Sequence, residues 1–293
     1  MSVHSELLSA SAADGHRWQL IRHAPAQPIA ALLWLPALGV AARHYQPFAT
    51  ALASAGIAVY LHEWRGNGSS TLRPSRRHDW GFRSLLDDDI PASHALLERE
   101  APHLPHIVGG HSLGGQLACC HAALQPMRIA HLWLVASGSP HWRQFPRPLR
   151  YALPVAYRAL PWLARVQGVL HGRSLGFGGT EARSLIADWA HVGRSNRYRA
   201  AGTAWDLERA LGALTLPVTA VTFARDRFGP PAALHALLRK MPQAHAHVRQ
   251  LDDAQLGVRS DHFAWMKTPA AVAAVFGDAC GKAADRWRIS QRD

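Results

Sequence analysis

Short apolar runs and helical patterns alternate along most of the chain. Residues 30–35 form a continuous apolar run that ends at Pro36, which is typical of a strand buried on both faces. Residues 43–55 repeat apolar side chains at helical spacing, and Gly56 follows them where a C-cap glycine is expected. The chain therefore begins a strand–helix alternation near residue 30.

The same reasoning extends the alternation over most of the chain. Further strands are predicted at 6–12, 17–23, 57–62, 105–109, 129–136, 217–223 and 245–251. Further helices are predicted at 79–98, 113–124, 232–240 and from about 269, with the first either interrupted at Pro91 or split into a pair. This order, with short connections, predicts an α/β protein with a mostly parallel central sheet flanked by helices.

The alternation stops at Ser139 and resumes after Gly212. Residues 139–212 contain eleven arginines and four acidic residues, a net charge of +7, together with five prolines and four tryptophans (142, 162, 189 and 205). We interpret this segment, called the insertion below, as a helical lid with arginines outside and aromatic side chains turned inward. The predicted core then comprises residues 1–138 and 213–293.

A strand-to-helix junction carries the clearest chemical pattern. Gly110-His111-Ser112-Leu113-Gly114 separates the strand at 105–109 from the helix at 113–124. A reversal through one residue forces unusual backbone angles and close backbone approach, so flanking glycines are required. The serine hydroxyl would then project at the carboxyl edge of the sheet, with the amide of Leu113 aimed at a developing oxyanion. A short pattern of this kind can arise by chance, but its position between a strand and a helix favours a nucleophile.

A carboxylate and a histidine follow the two late strands. Asp226 comes just after 217–223, and His262 comes after 245–251, so both are expected at the sheet edge that carries Ser112. Asp252, Asp253 and Asp261 are alternative carboxylates near His262. Asp261 adjoins the histidine in sequence and is poorly placed to reach its ring, and the other two lie on the connection that leads to it.

Composition narrows the class of protein. The chain has 293 residues, is 48% hydrophobic and carries a net charge of +12, almost wholly from arginine. No aromatic-basic RNA signature, zinc finger or helix-turn-helix pattern accompanies this charge, so nucleic acid is not an expected partner. Cys119, Cys120 and Cys280 lack metal-ligand spacing and are predicted to be buried and reduced.

Two further segments are assigned structural roles. The acidic run Asp87-Asp88-Asp89 is interpreted as a solvated helix face, since consecutive residues point in different directions. The glycine-rich stretch at 63–70 lacks a Gly-Lys-Ser/Thr sequence, so it is interpreted as a turn and not as a phosphate cradle. Neither a metal nor a cofactor is expected. The N-terminus does not look like a signal peptide and the longest apolar run, 29–42, is too short for a membrane span, so we expect a cytoplasmic protein.

The order Ser112, Asp226, His262 resembles that of the α/β-hydrolase superfamily. Four motifs are together similar to a bacterial subgroup of predicted hydrolases of undetermined substrate: Pro36-Ala37-Leu38-Gly39-Val40, Arg65-Gly66-Asn67-Gly68, the Ser112 junction, and Leu175-Gly176-Phe177-Gly178 ahead of Asp188-Trp189. The chain has Pro36-Ala37 where the superfamily usually shows His-Gly, and Glu63 where an aspartate is common. The resemblance implies that the backbone amides of Leu38 and Leu113 form the oxyanion hole, and it favours Asp226 as the acid.

The expected function is hydrolysis of a carboxylic ester, thioester or small amide through Ser112, His262 and Asp226. An acyltransferase using the same residues and a non-enzymatic binding protein that retains the fold are the alternatives. The charge of the insertion suggests a small acyl substrate that is itself anionic. The oligomeric state stays open.

Overall fold

The computed structural model describes residues 2–176 and 178–290. Its strands are β1 Val3–Ser11, β2 Arg17–Pro25, β3 Ala30–Leu35, β4 Ile57–Leu61, β5 His106–His111, β6 His131–Val135, β7 Leu170–His171, β8 Thr180–Glu181, β9 Val218–Phe223 and β10 Ala246–Leu251. Its α-helices are α1 Gln46–Ser54, α2 Phe82–Ser84, α3 Ile90–Glu100, α4 Leu113–Leu124, α5 Leu149–Gln167, α6 Arg183–Ser195, α7 Leu207–Gly212, α8 Pro231–Leu238, α9 Asp253–Leu256 and α10 Ala270–Ser290.

Eight of the strands form one sheet in the order β1-β2-β4-β3-β5-β6-β9-β10. β1 and β2 pair antiparallel, as do β2 and β4, and every other neighbouring pair is parallel. The predicted mostly parallel sheet is confirmed. β3 and α4 begin and end at the residues predicted from the hydrophobic pattern.

The central strands supply two hydrophobic cores, one on each face of the sheet. All six residues of β3 are buried, and they alternate between the faces: Ala31, Leu33 and Leu35 join one core, whereas Ala30, Leu32 and Trp34 join the other. Alternation of this kind follows from the two-residue period of a strand. Because helices cover both faces of the sheet, every side chain of β3 is buried, which is why its sequence is an unbroken apolar run.

The insertion lies between β6 and β9, which are neighbouring parallel strands of the sheet. It is mainly helical (α5, α6 and α7) and contains the short antiparallel pair formed by β7 and β8. The expectation that its tryptophans face inward is wrong for Trp162, which is 65% exposed. Trp162 lies on the outer side of α5, because leucine and alanine side chains occupy the inner side. Phe177 of the predicted glycine motif lies outside the described residues.

The acidic run at 87–89 differs from its prediction. A π-helical turn, Leu85–Asp89, joins α2 to α3 and turns Asp89 into the protein interior, where it is fully buried. The guanidinium of Arg65 donates to both carboxylate oxygens of Asp89, at 2.6 and 2.8 Å. Pro91 follows at the start of α3 and cannot donate a backbone hydrogen bond, which explains why the helix widens there. The prediction of a solvated face is therefore wrong for Asp89.

The three cysteines are free and buried, as predicted. Among the helices that the structure describes, none has both the length and the apolar character needed to span a membrane.

Candidate active site

Ser112 occupies the sharp turn between β5 and α4. Its backbone has φ 55° and ψ −118°, a conformation that a non-glycine residue rarely adopts. A Cβ at Gly110 would lie 2.3 Å from the carbonyl carbon of Gly114, and a Cβ at Gly114 would lie 2.0 Å from the carbonyl oxygen of Leu35. The two glycines are thus required by close backbone approach, and the turn holds Ser112 at the carboxyl edge of the sheet.

His262 and Asp226 meet at that edge from separate loops. The Nδ1 atom of His262 lies 2.8 Å from Oδ2 of Asp226, and both residues are buried. The other carboxylate oxygen, Oδ1, accepts hydrogen bonds from the backbone amides of Phe228 and Gly229, each at 2.8 Å. These three contacts hold the carboxylate in one orientation, with one oxygen on its own loop and one oxygen on the imidazole.

The competing carboxylates are engaged elsewhere. Asp252 caps α9 through a reciprocal capping box with Gln255. Oδ1 of Asp253 accepts hydrogen bonds from the amide and the hydroxyl of Ser260. Oδ1 of Asp261 accepts from the two backbone amides that follow His262 in sequence. The structure thus brings Asp226, and none of these three, to the ring of His262.

The backbone amides of Leu38 and Leu113, predicted to form an oxyanion hole, make no hydrogen bond within the described residues. Both residues line the same pocket as Ser112 and His262. No hydrogen bond joins the hydroxyl of Ser112 to the ring of His262 in the described part of the chain, and such bonds commonly tighten only when substrate binds.

Two side chains that sequence reasoning did not select hold the loop that carries Leu38. The hydroxyl of Tyr45 accepts a hydrogen bond from the amide of Ala37 at 2.9 Å, and it lies 2.8 Å from Nδ1 of His111. The indole Nε1 of Trp64 donates to the carbonyl of Pro36 at 2.9 Å. Tyr45 therefore connects the loop that carries Leu38 to the residue directly before Ser112. In the sequence it registers only as an apolar residue of a helical pattern, so no signal marked it.

His111, directly before Ser112, is not among the residues that line the pocket. It is fully buried, and its ring centroid lies 4.7 Å from that of His262. Burial, together with the nearby His262 ring, holds the pKa of His111 well below its usual range. A neutral His111 therefore places no positive charge beside the ring of His262.

The sequence model of the Hydrolase_4 family, described as serine aminopeptidase, S33, matches residues 26–254. The chain belongs to this family. It is therefore a hydrolase of the α/β-hydrolase superfamily. A search of curated proteins found no match.

Solved structures share the fold of this Hydrolase_4 member at low sequence identity. An esterase from Thermogutta terrifontis is similar with a TM-score of 0.62 and 16% identity, covering 96% of this chain and 99% of that one. A hydrolase from Pseudomonas aeruginosa gives 0.62 and 16%, covering 92% and 97%. An esterase from Exiguobacterium antarcticum gives 0.60 and 14%, covering 93% and 98%. At these identities the likeness establishes the fold.

An apolar cavity of about 210 Å³ opens on Ser112 and His262 in this hydrolase. One face of α5 supplies much of its wall, since lining residues recur there at helical spacing: Leu149, Leu153, Ala156, Tyr157 and Leu160. None of the described lining residues is an arginine. The expectation that the insertion's arginines attract an anionic acyl group at this pocket therefore finds no support, because they lie away from the cavity.

One group of side chains has the composition of a metal site. Ligand atoms of His94, Glu98 and His106 lie within 4.8 Å of one another. However, both oxygens of the Glu98 carboxylate already accept hydrogen bonds from Arg128. His106 also begins β5, whereas Ser112 follows the other end of that strand. This group is therefore remote from the pocket and takes no part in its chemistry.

Proposed function

We propose that this Hydrolase_4 member cleaves carboxylic esters or thioesters with an apolar acyl group, using Ser112 as nucleophile, His262 as general base and Asp226 as the orienting acid. The observation that carries the proposal is that Ser112, His262 and the acceptor-free amides of Leu38 and Leu113 all line one apolar cavity. Small amides could be cleaved by the same steps, but more slowly, because an amine is a poorer leaving group than an alcohol or a thiol.

In the acylation step, His262 removes the hydroxyl proton of Ser112 as the oxygen attacks the carbonyl carbon. The carbonyl oxygen becomes an oxyanion and accepts hydrogen bonds from the amides of Leu38 and Leu113, at about 3 kcal/mol per donor in a comparable serine hydrolase. Asp226 holds the imidazole with its proton on Nδ1 and stabilises the cation that forms.

The intermediate then collapses. The bond between the carbonyl carbon and the leaving oxygen or sulfur breaks, and the proton on His262 passes to the leaving group. Water, activated by the same histidine, attacks the acyl-enzyme and releases the acid with regeneration of the Ser112 hydroxyl. No net charge is left on the protein after one turnover.

The proposal is tested by covalent labelling. A fluorophosphonate probe should label the native protein once, at the peptide that contains Ser112, and Ser112→Ala should abolish labelling. Ser137→Ala is the matched control: the Ser137 hydroxyl donates to the Ser112 carbonyl beside the same turn, yet this variant should still be labelled. Labelling that survives Ser112→Ala would show that the nucleophile is misassigned.

Substrate range is then measured with nitrophenyl esters and thioesters from acetyl to dodecanoyl, a matching anilide, and added alcohol acceptors. Because the cavity wall is apolar, kcat/KM should rise with acyl length until the cavity is filled. Acyl transfer to the alcohols at the expense of free acid would instead indicate an acyltransferase. No turnover of any acyl compound would favour a binding protein.

A further inference from the structure

A second cavity, of about 660 Å³, lies on the other side of His262. It shares Phe228, His262 and Phe263 with the apolar cavity, but Ser112 is not among its lining residues. Its wall carries five permanent cations, Arg43, Arg225, Arg227, Arg259 and Lys267. We call these five residues the basic groove.

The positive charge of the basic groove is largely uncompensated. Arg225 forms an exposed ion pair with Asp253, and Arg259 lies 3.8 Å from Asp261. The remaining three cations form no ion pair among the residues that the structure describes, although Arg43 lies close enough to Glu63 to favour the charged form of that carboxyl. Positive charges gathered in a recess raise the local concentration of anions. An anionic group that binds between them also reduces their mutual repulsion.

The basic groove is assembled from separate parts of the core. Arg43 precedes α1, Arg225 and Arg227 follow β9, and Arg259 and Lys267 flank the loop that carries His262. None belongs to the insertion, whose arginines were expected to attract an anion. Each of the three segments also packs beside the catalytic edge of the sheet, so the groove and the proposed histidine base form one continuous surface.

The chemistry of the proposed reaction decides which part of a substrate reaches the groove. The acyl carbon must lie at Ser112, between the amides of Leu38 and Leu113, with the acyl chain in the apolar cavity. The leaving oxygen or sulfur must contact His262, since it receives its proton from that ring. A leaving group therefore extends past His262 toward the cavity that lacks Ser112.

We propose that the leaving group of the natural substrate carries a phosphate, which the basic groove binds while His262 protonates the departing oxygen or sulfur. This inference rests on the proposed function. Guanidinium groups match phosphate by paired N–H donors, and the dianion suits a site with several unpaired cations. The phosphate contributes to binding and does not react. The bond that breaks joins the carbonyl carbon to the leaving oxygen or sulfur, and the phosphate ester stays intact.

Two matched thioesters test the proposal. S-octanoyl-6-mercaptohexanol and its phosphate monoester share the acyl group and the reacting bond and differ only at the far end of the leaving group. We expect kcat/KM to be about tenfold higher for the phosphate ester at low salt, and this ratio to fall as added salt screens the charges. Equal values for the two thioesters would refute the proposal.

Substitutions in the basic groove test whether its cations cause the preference for the phosphate ester. Arg227→Gln combined with Lys267→Gln removes two of the unpaired cations, and the phosphate-to-neutral ratio should fall toward one. Arg165→Gln is the control, since Arg165 is an exposed arginine of α5 that lies outside both cavities, and its ratio should equal that of the native protein. A ratio that is unchanged in the groove variant, or lowered as much by Arg165→Gln, would overturn the assignment of the groove.

Free hexyl phosphate distinguishes a leaving-group site from a site for a separate anion. Hexyl phosphate should inhibit turnover of the phosphorylated thioester competitively. If it instead accelerates turnover of the neutral thioester, the groove binds a regulatory anion and the proposal is wrong. If the native protein neither hydrolyses the thioesters nor reacts with the fluorophosphonate probe, the proposed function itself is wrong. If it hydrolyses both thioesters without preferring the phosphate ester, only this inference is wrong.

Discussion

Replacing Asp226 by asparagine should disable the proposed base without removing any side-chain heavy atom. Oδ1 of Asp226 accepts two backbone N–H groups, so the amide oxygen of asparagine must occupy that position. The amide NH₂ is then directed at Nδ1 of His262, which lies 2.8 Å from Oδ2 in the native protein. A ring that accepts at Nδ1 carries its proton on Nε2, and it cannot then take a proton from Ser112.

The expected loss follows from this change of tautomer. The equivalent substitution in a serine protease lowers kcat by about ten-thousand-fold, which corresponds to about 5.5 kcal/mol at 1.36 kcal/mol for each factor of ten. KM should change little, because the asparagine does not alter the walls of the apolar cavity. Steady-state hydrolysis of nitrophenyl octanoate and the rate of fluorophosphonate labelling should fall together.

Asp252→Asn is the matched control. Asparagine caps a helix as well as aspartate does, so α9 should keep its N-cap and activity should be retained. Urea unfolding of both variants separates catalysis from folding, and we expect Asp226→Asn to lose about 1 kcal/mol of stability as charged hydrogen bonds become neutral ones. A loss of activity under about tenfold in Asp226→Asn, or a comparable loss in Asp252→Asn, would refute the orientation argument.

Two further predictions concern stability. Burial raises the pKa of Glu181 from 4.5 to about 7, so this carboxyl contributes stability that is fully present below pH 4.5 and is lost as the pH rises to about 7. Glu181→Gln should therefore be more stable than the native protein at pH 8, by up to about 3 kcal/mol, and similar to it at pH 4.5, as measured by urea unfolding at both values; an equal difference at both pH values would contradict this. Arg65→Ala leaves the carboxylate of Asp89 buried without its cation and should cost about 3–5 kcal/mol of unfolding free energy, with Arg65→Lys recovering part of the loss; a cost below about 1 kcal/mol would show that water replaces the guanidinium.

The elements with both faces buried were the best predicted from sequence. β3 and α4 match their predicted ends because apolar runs and flanking glycines and prolines mark them directly. Ser112, Asp226 and His262 were identifiable because each follows a recognisable strand, and parallel strands bring their carboxyl ends to one edge. The prediction for Asp89 was wrong because it assigned the whole run 87–89 to a solvated face, whereas consecutive residues of the π-helical turn point in different directions and Asp89 faces inward.

Features that depend on contacts between distant segments could not be predicted from the sequence. Tyr45 acts through a hydroxyl that reaches two other segments, and the pattern of its own helix shows only that the residue is apolar. The basic groove draws its cations from three regions separated by up to about 220 residues, so no local run of charge reveals it. The arginines of the insertion are more conspicuous in sequence, but none of them lines the apolar cavity.

The attachment of the insertion has a consequence for how this protein can be re-engineered. Its two ends join the neighbouring strands β6 and β9, so the pairing of the sheet does not constrain the length or the structure of the insertion. One part nevertheless packs closely on the loop that carries Leu38: a Cβ added at Gly179 would lie 3.2 Å from Oε1 of Glu181 and 3.4 Å from Cα of Gly39. A graft that exchanges α5 should therefore alter acyl preference and spare turnover, whereas a graft that also replaces Gly179 would disturb the loop that carries Leu38. We therefore expect α5 to be exchangeable, and the short segment around Gly179 to be retained together with the loop that carries Leu38.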